Sequence, residues 1–402
     1  MMNGSTDPAS RIVVVGAGLG GLRVVEELRR RGHTGPLTLV GDEQEHPYDR
    51  PPLSKDVLRG ETVGPPHLRA LADYAELDLD LRLGRRAVAL DPDARTVQFD
   101  DGTVLPYDAV VLAPGAVPRL LPGAPERPGM HLLRTHDHAV ALREAVLRER
   151  TLTVVGGGFI GCEVAASARA LGAEVDLVEL LAGPLVRVLG PQLAAAVARL
   201  HTEAGVRLHC GTGVAAVRGT ERVEALELSD GTVLPSRVVL IGLGVLPRTQ
   251  WLDGSGLELA PDGAVRCDRF GRTSATGVWA VGDAAAWQDA TGTYRRVEHW
   301  MSAVEQAATV AGNLLTAELV PHVSVPYFWS DQYSSSVQAI GEVAPDTELE
   351  VHPIGAGLLA LHADGDRLLG VVTLDARRQV GRARRLLRAG AGLAEARPAL
   401  LA

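Results

Sequence analysis

The strongest constraint in this sequence is a unit that occurs twice. The chain reads RIVVVGAGLGG at 11–21 and TLTVVGGGFIG at 151–161, and the leading glycines, Gly16 and Gly156, stand 140 residues apart (156 − 16). Each copy opens on a β-branched run, the mark of a parallel strand buried on both faces. Helically spaced apolar residues follow: Leu22, Val25 and Leu28 in the first copy, CEVAASARALG (162–172) in the second. A second strand, PLTLV or EVDLVEL, then ends on an acid, Asp42 with Glu43 in one case and Glu179 in the other. The residue types suit a dinucleotide. Gly16 and Gly156 allow a tight turn, Gly18 and Gly158 let backbone approach a pyrophosphate, and Gly21 and Gly161 let the helix close on the strand. Gly20, Phe159 and Ile160 complete the loops, and the acids can accept hydrogen bonds from a ribose. A single glycine loop is weak evidence; strand, glycines, helix, strand and acid in order, twice, predict two dinucleotides.

A third stretch, TSATGVWAVGDAAA (273–286), assigns them. Its short strand brings Gly282 and Asp283 to a carboxyl end, where open α/β sheets bind ligands. A carboxylate there serves the ribityl hydroxyls of a flavin and is of no use to a plain nicotinamide enzyme. The first nucleotide domain therefore reads as interrupted by the second. The returns are VVLAPGAVPR (110–119) and VVLIGLGVLPR (238–248), which place Ala113, Gly115 and Gly244 at the crossings. The expected fold is α/β. It has an FAD domain over 1–115 and 246–324, an NAD domain over 116–245, both Rossmann-like, and a small α+β C-terminal domain over 325–402. Within the last, LLALHADGDRLLGVVTLD reads as a hairpin turning at Asp364-Gly365.

With 402 residues, two or three domains are expected. A net charge of −9 argues against general nucleic-acid binding. The N-terminal MMNGSTDPAS has no apolar leader core and no span suits a membrane, so a soluble cytoplasmic protein is expected. Three scattered cysteines give neither a disulfide framework nor a metal site. Lys55 is the only lysine among the 40 Lys+Arg, and it follows Pro51-Pro52.

The pattern resembles the FAD-dependent ferredoxin reductases, the group serving putidaredoxin, rubredoxin and aromatic-ring dioxygenase systems. The resemblance spans nearly the whole chain through YDRPPLSK (48–55), GGGFIGCE (156–163), GVWAVGD (277–283), EHW (298–300) and FWSDQY (328–333). It implies that Asp42, Arg50, Lys55, Arg134, Asp283 and Trp300 contact FAD and that the backbone of Val88 meets its adenine. Glu179 then holds the NADH ribose, with Arg187 on the NADH side. Lys55 matches the lysine beside the reactive edge of the flavin and Glu163 its ion-pair partner; these are the two candidate catalytic residues. The family's Ala-Thr-Gly is Ala113-Pro114-Gly115 here, its Pro-Asn is Pro247-Arg248, and the SSSVQAIG after FWSDQY is more polar than usual.

The resemblance implies hydride transfer from NADH to FAD and single-electron transfer to an acidic iron–sulfur ferredoxin, which would serve a monooxygenase or dioxygenase. The enzyme would be a monomer or homodimer without a metal. Alternatives are a rubredoxin reductase, an NADH oxidase, or a redox-controlled binding module like apoptosis-inducing factor. The absence of cysteine from residues 42–60 argues against a disulfide reductase. His299 reads as packing or hydrogen-bonding under the flavin and Cys162 as a packing residue. The six arginines at 377, 378, 382, 384, 385 and 388 offer either a solvated face or a landing area for an acidic partner.

Overall fold

A computed structural model describes residues 9–124, 126–344 and 347–402; the first eight residues, part of the segment read above for a leader, lie outside these. The chain packs as two units. The first gathers Met1–Asp49, Pro65–Val117 and Val245–Ser324, and the second gathers Arg50–Gly64, Pro118–Gly244 and Val325–Ala402.

In the first unit, the β-branched run forms the strand Ile12–Val15, at most 4% exposed, in the middle of a five-stranded sheet. Its order is Val278–Ala280, Ala109–Leu112, Ile12–Val15, Leu37–Val40, Asp80–Arg82, and every pairing is parallel. Burial on both faces explains why these strands read as unbroken apolar runs. The helix Leu19–Arg30 buries Leu22, Val25 and Leu28 and packs against the helix Trp300–Leu314.

The second unit repeats the arrangement. Its parallel sheet runs Arg207–Cys210, Glu174–Glu179, Thr151–Val155, Val239–Ile241, Met130–His131. In both units the strand before the glycines is central and is flanked by the strand that ends on the acid and by the one that returns. The outer strand differs: in the first unit it follows the return in sequence, and in the second it precedes the glycine loop.

The C-terminal segment forms an antiparallel sheet in the order Tyr327–Gln332, Ser335–Gly341, Arg367–Leu374, Gly357–Asp364, Glu348–Ile354. Successive side chains point to opposite faces. Leu359 and Leu361 join Ala383, Ala396 and Leu400 in one core. Ala360, Val337, Ala339 and Val372 join Leu142, Leu152, Val164 and Leu177 in another, which also takes Leu58 from the PPLSK segment. Segments 50–64 and 325–402 thus share a core with 118–244. The expected hairpin forms one residue later than the sequence suggested. Asp364 still pairs with Arg367, and the turn is Gly365-Asp366, since Gly365 supplies the positive φ of 57°. Among the described residues, no helix is long and apolar enough to cross a membrane, and no cluster of three or more potential metal ligands occurs.

Candidate active site

The two glycine loops are built alike. Gly16 has φ 114° and Gly156 φ 108°. A Cβ on either would run into a carbonyl, that of Ala113 in the first unit or Gly242 in the second. Gly21 and Gly161 press against the carbonyls of Gly16 and Gly156, leaving no room for a side chain. Gly18 and Gly158 have no heavy atom within 4 Å of where a Cβ would sit, so the mouth of each loop is open. The helices that follow have no side-chain cap at Gly18 or Gly158, so their first N–H groups point outward as an anion site. Each cradle fits a dinucleotide pyrophosphate.

Around the first cradle, Asp42 is one-third exposed and its Oδ2 is ion-paired with Arg248 at 2.5 Å. Glu43 accepts a hydrogen bond from the Tyr48 hydroxyl at 2.5 Å. Val88 is exposed on the strand Ala87–Asp91. Ala113 is buried, and the Gly115 carbonyl accepts from Arg248 N. Gly282 N–H donates to Gln306 Oε1 at 2.7 Å, next to Asp283. Trp300 starts its helix and donates its indole N–H to Asp49 at 2.8 Å. Burial lowers the pKa of His299, against a partial pull upward from Asp283, so the ring is neutral at pH 7.

Around the second cradle, both oxygens of Glu179 are occupied. Oε2 accepts from Gly157 N at 2.6 Å and Oε1 from Leu181 N at 2.8 Å, so the acid also braces the glycine loop. Ile160 and Arg187 are exposed; the Phe159 ring meets Phe328 at 4.6 Å. The Gly244 carbonyl accepts from Arg119 N at 2.9 Å. Burial pushes the Cys162 thiol up, consistent with a packing residue; Cys162, Cys210 and Cys267 are all free.

The PPLSK segment lies in this second unit. Arg50 donates to the Arg134 carbonyl at 2.5 Å. Lys55 Nζ lies 2.7 Å from Glu163 Oε2, the ion pair expected from the sequence, with side chains 13% and 5% exposed. Glu163 has two further donors: Ser54 Oγ reaches Oε2 at 2.5 Å, and Ser330 Oγ reaches Oε1 at 2.9 Å. Ser167 in turn donates to the Ser54 carbonyl at 2.7 Å. Three motifs distant in sequence therefore converge on one carboxylate. Sequence reasoning quoted Asp49, Ser54 and Ser330 inside YDRPPLSK and FWSDQY but gave them no role. The one available signal for Ser330 was a small hydroxyl in phase with Phe328 along a strand.

The model of the pyridine nucleotide-disulphide oxidoreductases matches residues 10–307, and that of the reductase C-terminal domain matches 327–400. The chain belongs to the pyridine nucleotide-disulphide oxidoreductase family. It is 38% identical over 394 residues to the ferredoxin reductase component of a chlorobenzene dioxygenase of Cupriavidus sp. (strain PS12), covering 97% of this chain and 95% of that one. It is 36% identical over 386 residues to rhodocoxin reductase of Rhodococcus erythropolis, covering 94% and 89%. Among solved structures, a covalent putidaredoxin reductase–putidaredoxin complex matches with a TM-score of 0.89 at 32% identity, over 95% of this chain and 93% of that one. The chain is an oxidoreductase of this family that also carries a reductase C-terminal domain.

Proposed function

We propose that this chain is an NADH-dependent flavoprotein reductase that delivers electrons to an iron–sulfur ferredoxin of an oxygenase system in the cytoplasm. The observation that carries the reading is the buried Lys55–Glu163 pair, in a chain that also holds two dinucleotide cradles. FAD belongs to the cradle of Gly16, Gly18, Gly20 and Gly21, with Asp42, Glu43, Val88, Ala113, Gly115, Gly282, Asp283 and Trp300. By resemblance, Arg50, Lys55 and Arg134 are further FAD-contacting residues. NADH belongs to the cradle of Gly156, Gly158, Phe159, Ile160 and Gly161, with Glu179, Arg187 and Gly244. The FAD segments are 1–115 and 246–324, except that 50–64 packs with the second unit; the NAD segment is 116–245, and 325–402 serves the partner. Bound FAD supplies a centre that takes two electrons as hydride and gives them up singly.

The chain's own residues do the rest. The helix N-termini hold the pyrophosphates, and Glu179 accepts from ribose hydroxyls and repels a 2′-phosphate, so NADH is preferred over NADPH. Lys55 places a compact positive charge that favours accumulation of negative charge on the acceptor, and Glu163 moderates it. Arg377, Arg378, Arg382, Arg385 and Arg388 are exposed and Arg384 is half-buried over the Tyr327 ring, a surface suited to an acidic partner.

Stopped-flow mixing tests the reading. NADH should bleach the flavin quickly and air should reoxidise it slowly, and cytochrome c reduction should depend on added ferredoxin. Reoxidation by air as fast as by ferredoxin would replace this reading with an NADH oxidase.

A further inference from the structure

The strand Tyr327–Gln332 carries two polar side chains, Ser330 and Gln332, with no exposed surface at all. Being two apart they share a face, the same face that sets Phe328 against Phe159. Burying polar groups there costs stability unless every one is bonded, and the bonds run in one direction. Gln332 Nε2 donates to Ser330 Oγ at 3.1 Å, and Ser330 Oγ donates to Glu163 Oε1 at 2.9 Å. The other oxygen of Glu163 takes Lys55 at 2.7 Å and Ser54 at 2.5 Å. Behind Gln332, His201 Nδ1 meets the Tyr333 hydroxyl at 2.8 Å.

We propose that Ser330 and Gln332 are positioning residues, which pin one oxygen of Glu163 so that the other stays on Lys55. The terminal torsion of a glutamate is broad and roughly two-fold, so a donor on one oxygen alone does not fix the plane of the carboxylate. A serine hydroxyl rotates to suit its neighbours. The Gln332 amide occupies its acceptor side and leaves its hydrogen for Glu163. Bulk water does not reach either side chain, because both are fully buried. The C-terminal sheet thereby sets the geometry of a charge pair whose members come from two other segments of the same unit. This rests on the reading of Lys55 and Glu163 as the pair serving hydride transfer.

Lys55, as the only lysine, makes the test selective: holoenzyme labelled with 15N-lysine shows one side-chain ammonium signal. Ser330→Ala should speed exchange of its protons with water about tenfold, the scale of one hydrogen bond to a charged acceptor, and should slow flavin reduction by NADH by a similar factor without changing KM. Ser330→Thr should restore both. Gln332→Met, which keeps the volume and loses the donor, should behave like Ser330→Ala and covers the case in which the alanine variant fails to fold. Unchanged exchange and rate in folded Ser330→Ala or Gln332→Met would overturn the proposal. Lys55→Met judges the underlying reading separately. If it leaves the flavin potential unchanged while Ser330→Ala still alters the ammonium signal, the positioning stands and the role in hydride transfer falls.

Discussion

Replacing Glu179 by alanine looks like a simple route to NADPH use, since it removes the charge that opposes a 2′-phosphate. The structure predicts a different result, because the same carboxylate takes the Gly157 N–H at 2.6 Å and the Leu181 N–H at 2.8 Å. Gly157 is buried, so Glu179→Ala leaves its N–H without an acceptor, a loss of about 1–3 kcal/mol. Leu181 is half-buried and recovers water, which adds less than about 1 kcal/mol. The total, about 1–4 kcal/mol, corresponds to a fall in Tm of roughly 2–10 °C at the usual few degrees per kcal/mol. Because Gly157 is part of the cradle itself, kcat/KM for NADH should fall about 10–100-fold and that for NADPH should rise by less than NADH loses. Glu179→Gln keeps one acceptor and should show about half the loss of Tm. Differential scanning calorimetry of the holoenzyme, paired with kinetics on both coenzymes, decides the matter. A Glu179→Ala enzyme that melts with the wild type and exchanges NADH for NADPH without overall loss would refute the bracing role.

Lys55→Met should make the flavin midpoint potential more negative, and Glu163→Gln should move it the other way; each should cost about 3–5 kcal/mol of stability by leaving a buried charge without its partner, and potentiometry with chemical denaturation reads both. Asp49→Ala removes the acceptor of the Trp300 indole N–H, so FAD should dissociate about tenfold more readily, measured as flavin fluorescence in an ultrafiltrate. Burial lowers the His201 pKa to about 4, partly offset by Gln332. The unfolded chain therefore binds more protons than the native one from about pH 6.5 down to about 4, and stability should fall by about 3 kcal/mol as pH drops through that window. Urea titrations at pH 7 and pH 4.5 test this, and His201→Gln should flatten the difference.

The parallel sheets were legible because strands buried on both faces leave unbroken β-branched runs, and because Gly16 and Gly156 stand where nothing larger than hydrogen fits. The Lys55–Glu163 pair was legible only through resemblance; no periodicity connects residues 108 positions apart. Ser330 escaped because a serine in a strand carries no sign of the partner it will meet. Arg248 was visible only as a departure from the family pattern, and its ion pair with Asp42 depends on how two segments of the first unit come together. The hairpin was misplaced by one residue because Asp-Gly and Gly-Asp both make acceptable two-residue turns, and the pairing across the strands selects between them.

The order in which the segments join their units limits how this chain can fold as it is made. The first unit contains Val245–Ser324 and the second contains Val325–Ala402, so neither core is closed until residue 324 has left the ribosome. The early Rossmann half therefore emerges with the return strand Ala109–Leu112 in place but its edge beside it open until Val278–Ala280 arrives. Unpaired strand edges of that kind invite association with other chains. Truncation from the C-terminus should behave accordingly: removal of residues 325–402 strips Val337, Ala339, Ala360 and Val372 from the core that holds Leu58 and Leu142, and what remains should be found with chaperones or in aggregates rather than as a smaller folded reductase.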